Sequence, residues 1–447
     1  MGSDKSLHWL LISFDQWRGD WLDIPVLQLD TLKQLAKRSL VAERCVTASP
    51  QCVPSRASWL TGLWPSDLGV TRNGHYSLPG TSPSFVRTLK QKGWKTALIG
   101  KTHWHPHTAG ADLRDQLQLL QQLGFGYANE IGGPRALAEV KCALTDAWEA
   151  YEPGLQERYR EDLAERYNNS EPWRVRSSIL PNHLYPDIWV AEQACTWLRQ
   201  QGQSNQPWLL WVSFPGPHEP WDTPLPWAGK HDKLDLPQAT PRPNWITRQP
   251  LHSECRRREI QWENAPGDEA IKALRTDYAD HLTLLDEQVK KLMNCLAEPE
   301  RTALTIVSDH GELLGDAGFL YKSCFLEGAI KSLAVHYRPD KWKRGLLWRK
   351  PLGLSCFISA AAKDVTRECE FENNSWPDFT LSEFGDELLV SDRYRKLVMT
   401  RGGEPLWATN FRKDPAEQIN IIDESVGIPR PWNKLYKRGC EHLNIIN

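Results

Sequence analysis

The chain has 447 residues, of which 40% are hydrophobic and 25% charged, and its formal net charge is −2. This length allows one large α/β domain with a smaller one, and the composition predicts a packed core instead of disorder. The near-zero net charge gives no indication of a nucleic-acid or membrane partner.

The elements predicted along the chain alternate between strands and helices. The strands are apolar throughout, which is typical of strands buried on both faces of a parallel sheet, and the helices repeat apolar residues at helical spacing. In chain order they are strand 7–14, helices 30–40 and 84–93, strand 96–100, helix 187–200, strand 207–214, helix 269–296 and strand 302–308. This order predicts a doubly wound α/β fold.

Two later regions differ from this pattern. Residues 215–266 are rich in Pro, Trp and charge and have weak periodicity, which favours a lid or substrate wall. Short alternating segments such as ELLVSD and RKLVMTR predict a small antiparallel sheet near the C-terminus. We therefore expect a main domain over residues 1–340 and a smaller α+β subdomain over 341–447.

The cysteines and the apolar runs indicate the cellular compartment. The ten cysteines form no C-x-x-C pair, which fits a reducing compartment. Asp15 interrupts the first apolar run, and no stretch has the ~20 apolar residues of a membrane span. We expect a cytoplasmic protein.

Polar side chains follow each predicted strand. They are Asp15 and Gln16, then Lys101 and His103, then His218 and Glu219, and finally Asp309, His310 and Glu312. Because the carboxyl ends of parallel strands lie along one edge of a sheet, we expect these groups to share one site.

The chemistry of this set indicates a metal and an anion. Asp15, Gln16, Asp309 and His310 offer three oxygen donors and one nitrogen donor, which suit Ca²⁺, Mg²⁺ or Mn²⁺. Three cations near them would form an electropositive hole for sulfate or phosphate, namely Arg56, Lys101 and Lys322. His103 and His218 could move protons near neutral pH.

The segment QCVPSRASWLTG places Cys52 at the start of a predicted helix that ends at Gly62. Pro54 suits the first turn of a helix, and the positive helix end favours negative charge at Cys52. Two interpretations stay open from the residues alone, a thiolate nucleophile of low pKa and a buried structural cysteine.

The same segment resembles the signature of the formylglycine-dependent sulfatases of the alkaline phosphatase superfamily, C-x-P-S-R-x-x-x-x-x-G. Four further segments are similar to that family: GKTHW at 100–104, DYADHLTLLDEQVKKL at 277–292, SDHGELLGDAGFLYK at 308–322 and EPLWATNFRKDPAEQINI at 404–421. The resemblance covers roughly the whole chain. It implies a large, mostly parallel central sheet flanked by helices, with a smaller C-terminal α+β subdomain.

The resemblance also implies a mechanism. Cys52 would be oxidised to formylglycine (3-oxoalanine) by a formylglycine-generating enzyme, and its hydrate would attack sulfur. One divalent metal, Ca²⁺ ahead of Mn²⁺ or Mg²⁺, would be held by the four metal ligands above and by residue 52. The three cations would hold the sulfate oxygens, His218 or Lys322 would protonate the leaving alcohol, and His103 would take the proton that allows sulfate to leave.

Three functions are compared. Lys101 and His103 favour a sulfuric ester hydrolase that acts on the sulfate monoester of an alcohol, sugar or aryl compound. Gln16, His310 and Asn73 are similar to the phosphonate monoester hydrolase and phosphodiesterase branch, which is the alternative. A silent binder of sulfated ligands, in which Cys52 stays a thiol, is the third.

Six residues that flank the site are predicted to contact the substrate: Asn73, His75, Trp104, His107, Trp221 and Asp222. The oligomeric state and the identity of the substrate stay open.

Overall fold

A computed structural model of the protein describes residues 6–168, 173–257, 267–342, 344–422 and 427–445. The strands in this part of the chain are β1 His8–Phe14, β2 Leu40–Ala42, β3 Cys45–Val46, β4 Lys95–Lys101, β5 Tyr127–Ile131, β6 Trp208–Phe214, β7 Thr302–Ser308, β8 Lys331–Ser332, β9 Ala334–Tyr337, β10 Leu346–Trp348, β11 Leu352–Gly353, β12 Thr380–Phe384, β13 Glu387–Ser391, β14 Lys396–Thr400 and β15 Pro405–Thr409. The α-helices are α1 Asp30–Ala36, α2 Cys52–Thr61, α3 Phe85–Gln91, α4 Leu117–Gln122, α5 Pro134–Leu137, α6 Ala143–Tyr151, α7 Leu155–Asn168, α8 Pro186–Gln201, α9 Ser253–Arg256, α10 Asp268–Asn294, α11 Glu327–Ile330, α12 Leu354–Val365 and α13 Asn433–His442.

An eight-stranded sheet forms the centre of the protein, in the order β10-β2-β9-β7-β1-β6-β4-β5. Strands β5, β4, β6, β1 and β7 run parallel to one another, whereas β9 is antiparallel to both β7 and β2. The four predicted strands are β7, β1, β6 and β4, which lie side by side, and the prediction of a large, mostly parallel sheet is confirmed.

Helices cover both faces of this sheet. Leu10 and Ile12 of β1 pack into the core on the face covered by α1, α8 and α10, whereas Trp9 and Leu11 pack on the opposite face with α2, α3 and α12. Side chains alternate between the two faces of a strand, and because helices cover both faces, both sets are buried. The apolar sequence of the strand therefore stabilises both layers.

A second, four-stranded antiparallel sheet lies near the C-terminus. Its order is β12-β13-β14-β15, and α13 packs against β13 and β14. The preceding elements belong to the main layer, because β10 extends the large sheet and α12 packs against α2. The separate sheet begins at Thr380, within the expected subdomain of residues 341–447.

The segment that was predicted to form a lid or wall is described from 215 to 257, and its last residues, 258–266, lie outside the described part. The backbone N–H groups of Gly229 and His231 donate to Asp280 of α10 at 2.6 and 3.0 Å. These bonds hold this part of the segment against α10. Among the described residues, no helix combines the length and apolar character needed to cross a membrane.

Candidate active site

Helix α2 presents Cys52 at its first residue. Gln51 before it is extended, and Gly62 after Thr61 ends the helix with a φ of 77°, a left-handed conformation that glycine adopts without strain. The Asn73 side-chain oxygen accepts from the N–H of Val53 at 3.0 Å, so it satisfies a donor of the first turn. Cys52 therefore lies at the positive end of the helix, as predicted.

Four of the predicted site residues meet at the carboxyl edge of the large sheet. One ligand atom from each of Asp15, Cys52, Asp309 and His310 lies within 4.8 Å of the others. The Cys52 sulfur is 3.2 Å from His310 Nε2 and 3.6 Å from a carboxylate oxygen of Asp15. All four are buried.

The donors of this cluster fit a divalent cation. His310 Nδ1 lies 2.9 Å from the carbonyl oxygen of Gly311. With its proton on Nδ1, the ring would donate a hydrogen bond to that oxygen, and the Nε2 lone pair would face the cluster. Two carboxylates and an imidazole are ligands suited to hard or borderline divalent ions.

Arg56 connects the cluster to the sheet. Its Nε donates to Asp309 at 2.8 Å, and its Nη1 donates to the carbonyl oxygen of Lys101 at 3.0 Å and to Ser213 Oγ at 2.9 Å. Nη2 lies 3.6 Å from Asp15 and has no hydrogen-bond partner among the described residues. This nitrogen is a buried donor that an anion could use.

Lys101, the last residue of β4, donates to Asp15. Burial alone would raise the pKa of Asp15, but the charges of Lys101, His218 and Arg56 outweigh it and hold that pKa well below its usual range. The Asp15 carboxylate is therefore ionised at neutral pH, as a metal ligand would have to be.

Gln16 has a φ of 72°, which is uncommon outside glycine and fixed here by neighbours. Its N–H donates to Asp309 at 2.9 Å, and its carbonyl oxygen accepts from Tyr278 at 2.7 Å. Its side-chain NH₂ donates to Glu219 at 3.0 Å and to Glu312, while Lys322 donates to its Oε1. The structure thus places Lys322 beside the predicted ligand Gln16.

Two histidines lie at the edge of the cluster. His103 has a φ of 62°, and burial together with the Lys101 charge holds its pKa well below the ordinary value. It is therefore neutral at physiological pH and able to accept a proton. His218 is partly exposed, and its Nδ1 lies 2.9 Å from the carbonyl oxygen of Glu219.

The predicted substrate contacts divide into two groups. Asn73 and His75 are exposed, and His107 is partly buried beside Glu130. Trp104 is 1% exposed, and its indole N–H donates to the Arg56 carbonyl oxygen at 3.1 Å. Trp104 therefore packs in the core, and its hydrogen bond holds the backbone of Arg56.

Trp221 and Asp222 also lie in the interior. The Trp221 ring stacks on Tyr321 with ring centres 6.5 Å apart. Asp222 accepts from the hydroxyl of Tyr185 at 3.3 Å, and burial raises its pKa to about 7. Trp104, Trp221 and Asp222 are all covered by protein in the structure, and their contact with substrate stays a prediction.

Several residues that contact the site were not predicted to belong to it. Ser213 in β6 accepts from Arg56, and Tyr278 of α10 fixes the backbone of Gln16. Glu219 and Glu312 follow strands but had no assigned function; burial and the nearby Glu219 raise the pKa of Glu312 to about 7. The position of Glu219 and Glu312 just after a strand could have indicated that they belong to the site. No sequence pattern indicates this for Ser213 or Tyr278.

The Sulfatase family model matches residues 8–345. The chain belongs to the sulfatase family. An arylsulfatase from Clostridium perfringens is 26% identical over 449 residues, which cover 93% of this chain and 90% of that protein. A choline-sulfatase from Rhizobium meliloti is 28% identical over 340 residues, which cover 72% of this chain and 60% of that protein.

Solved structures agree on the fold. A phosphonate monoester hydrolase from Silicibacter pomeroyi superimposes with a TM-score of 0.75 at 18% identity, covering 98% of this sulfatase and 94% of that chain. The predicted alkaline-phosphatase-like fold is confirmed, and so is the predicted enzyme class, a sulfuric ester hydrolase.

Proposed function

We propose that this sulfatase hydrolyses the sulfate monoester of an alcohol, sugar or aryl compound, with residue 52 converted to formylglycine. The observation that carries the proposal is the position of Lys101, which ends β4 beside Asp15 and is followed by the neutral His103. A buried lysine next to the nucleophile position is suited to neutralise the oxygens of a sulfate group.

The metal we propose is Ca²⁺, with Asp15, Gln16, Asp309, His310 and residue 52 as its ligands. The two buried carboxylates support a hard cation, while the imidazole of His310 keeps Mn²⁺ as an alternative. When bound, the ion supplies positive charge that polarises oxygen atoms at this site.

The residues of the chain have separate roles in this proposal. Arg56 Nη2 and Lys101 Nζ hold oxygens of the sulfate group, and Lys322 approaches from the side of Gln16. His218 lies at the partly exposed edge, where the alcohol would depart, and gives it a proton. His103, kept neutral by burial and by Lys101, takes the proton that must be removed before sulfate leaves.

The alternative, a phosphonate monoester or phosphodiester hydrolase, is supported by two features. Gln16 and His310, together with Asn73, are similar to residues of the phosphonate monoester hydrolase branch, and the structure superimposes on a phosphonate monoester hydrolase. The fold alone does not separate the two substrates, since the identity to that structure is only 18%.

The experiment is a comparison of two chromogenic esters with the protein co-produced with a formylglycine-generating enzyme. We expect kcat/KM for 4-nitrophenyl sulfate to exceed that for 4-nitrophenyl phenylphosphonate, and Cys52→Ala to abolish both activities. A higher value for the phosphonate would favour the alternative function. Binding of a sulfated sugar without turnover of either ester would favour the silent binder.

A further inference from the structure

The loop that follows β4 carries three histidines in five residues, at positions 103, 105 and 107. Trp104, between His103 and His105, is buried in the core. The ring centres of His103 and His107 are 4.9 Å apart, and those of His105 and His107 are 5.0 Å apart. The reaction proposed above uses only His103.

A carboxylate from the next strand completes this group. Glu130 of β5 lies opposite Gly100 of β4 and is 7% exposed. Its carboxylate oxygens lie 2.8 Å from His105 Nε2 and 3.2 Å from His107 Nε2. Burial would raise the pKa of Glu130, but the hydrogen bonds from the two imidazoles hold it at about 2. The carboxylate is therefore ionised.

The chemistry of these three side chains is that of a transition-metal site. One ligand atom from each of His105, His107 and Glu130 lies within 4.8 Å of the other two. Two imidazoles and one carboxylate form a recurring protein ligand set for Zn²⁺, which leaves a fourth position for water. We propose that His105, His107 and Glu130 form a second metal site in this protein, and that the site takes Zn²⁺.

The surroundings support this assignment in two ways. Thr102 donates to a carboxylate oxygen of Glu130, and His105 Nδ1 lies 3.3 Å from the carbonyl oxygen of Pro106. Such contacts around the ligands orient them in metal sites. The His107 side chain is 3% exposed, yet its Nδ1 has no hydrogen-bond partner among the described residues.

This site shares no ligand with the cluster of Asp15, Cys52, Asp309 and His310. It also differs in ligand type, since imidazole is its main donor and carboxylate oxygen is the main donor of the other. The ring contact between His107 and His103 would connect the zinc to the predicted proton acceptor.

The test measures zinc directly and does not depend on sulfatase activity. The full-length protein carries Cys52→Ala, which removes the thiol that could bind zinc at the other cluster, and is stripped with a chelator. It is then titrated with ZnCl₂ in excess Ca²⁺, with zinc content measured by mass spectrometry and affinity by calorimetry. Adding Glu130→Gln keeps the size of the side chain but removes the charge.

We expect the Cys52→Ala protein to hold one more zinc ion than the Cys52→Ala/Glu130→Gln protein, or to bind it at least roughly 10-fold more tightly. We also expect zinc to raise the melting temperature of the first protein only. Should Glu130→Gln fail to fold, His107→Gln serves as the second variant. Equal zinc content, affinity and melting shift in folded variants would overturn the proposal and leave a hydrogen-bonded cluster that only supports His103.

Discussion

Replacing Lys101 with Ala removes the cation that we assign to the sulfate oxygens. In the structure Lys101 is 1% exposed and its amine donates to Asp15, whose side chain is fully buried. Breaking a buried ion pair by removing one partner costs about 3–5 kcal/mol of stability, because the remaining charge stays buried. Arg56, 3.6 Å from Asp15, offsets part of that cost, so we expect a loss of about 2–4 kcal/mol.

The effect of Lys101→Ala on kcat/KM is separate from its effect on stability and depends on the substrate. Removal of one donor to a developing anion typically lowers kcat by about 100-fold to 1000-fold. We expect that loss in kcat/KM for 4-nitrophenyl sulfate, and a smaller loss for 4-nitrophenyl phenylphosphonate. The assay is steady-state hydrolysis of both esters, with the folded fraction measured by circular dichroism.

A matched control separates catalysis from stability. Lys396 is fully buried in the C-terminal sheet, donates to the Phe325 carbonyl oxygen at 2.6 Å and pairs with Glu327 at 3.1 Å. Lys396→Ala should cost similar stability but leave kcat/KM of the folded protein unchanged. The reasoning is refuted if folded Lys101→Ala keeps its sulfate hydrolysis, or if both lysine variants lose it equally.

Three further predictions concern the site and its support. A Cβ at Gly133 would lie 2.9 Å from Lys101 Nζ, so Gly133→Ala should displace the amine and lower sulfate-ester kcat/KM roughly 10-fold while the melting temperature changes little. Removal of metal by a chelator should abolish hydrolysis, and added Ca²⁺ or Mn²⁺ should restore it; full activity after verified metal removal would contradict the assignment of the ligands. Burial raises the pKa of Asp277 from 3.8 to about 7, so this carboxyl lowers stability as pH rises between those values. Asp277→Asn should therefore be more stable at pH 8 by up to about 4 kcal/mol and equal to the parent near pH 3; urea unfolding at both pH values measures this.

The fold was predictable because its central strands are strongly patterned. The apolar runs at 7–14, 96–100, 207–214 and 302–308 became β1, β4, β6 and β7, which lie side by side in the sheet order. Short strands such as β2 and β10 were not predicted, since a strand of 3 residues carries no clear periodicity.

The site was predictable where a residue follows a strand directly. Asp15 and Asp309 come immediately after β1 and β7, so the parallel pairing of those strands brings them together. Burial of individual side chains was not predictable: nothing in the sequence around Trp104, which is expected to contact substrate, indicates that it packs in the core. Glu130 was missed because its neighbours, His105 and His107, reach it only through the pairing of β4 with β5.

The measurement that tests the central claim most directly is the mass of the peptide carrying residue 52, from protein co-produced with a formylglycine-generating enzyme. We expect the mass to fall by the difference between a CH₂SH group and a CHO group, and the fraction converted to scale with the rate of sulfate-ester hydrolysis. An unmodified thiol in fully active protein, under conditions that convert a control sulfatase, would contradict the mechanism.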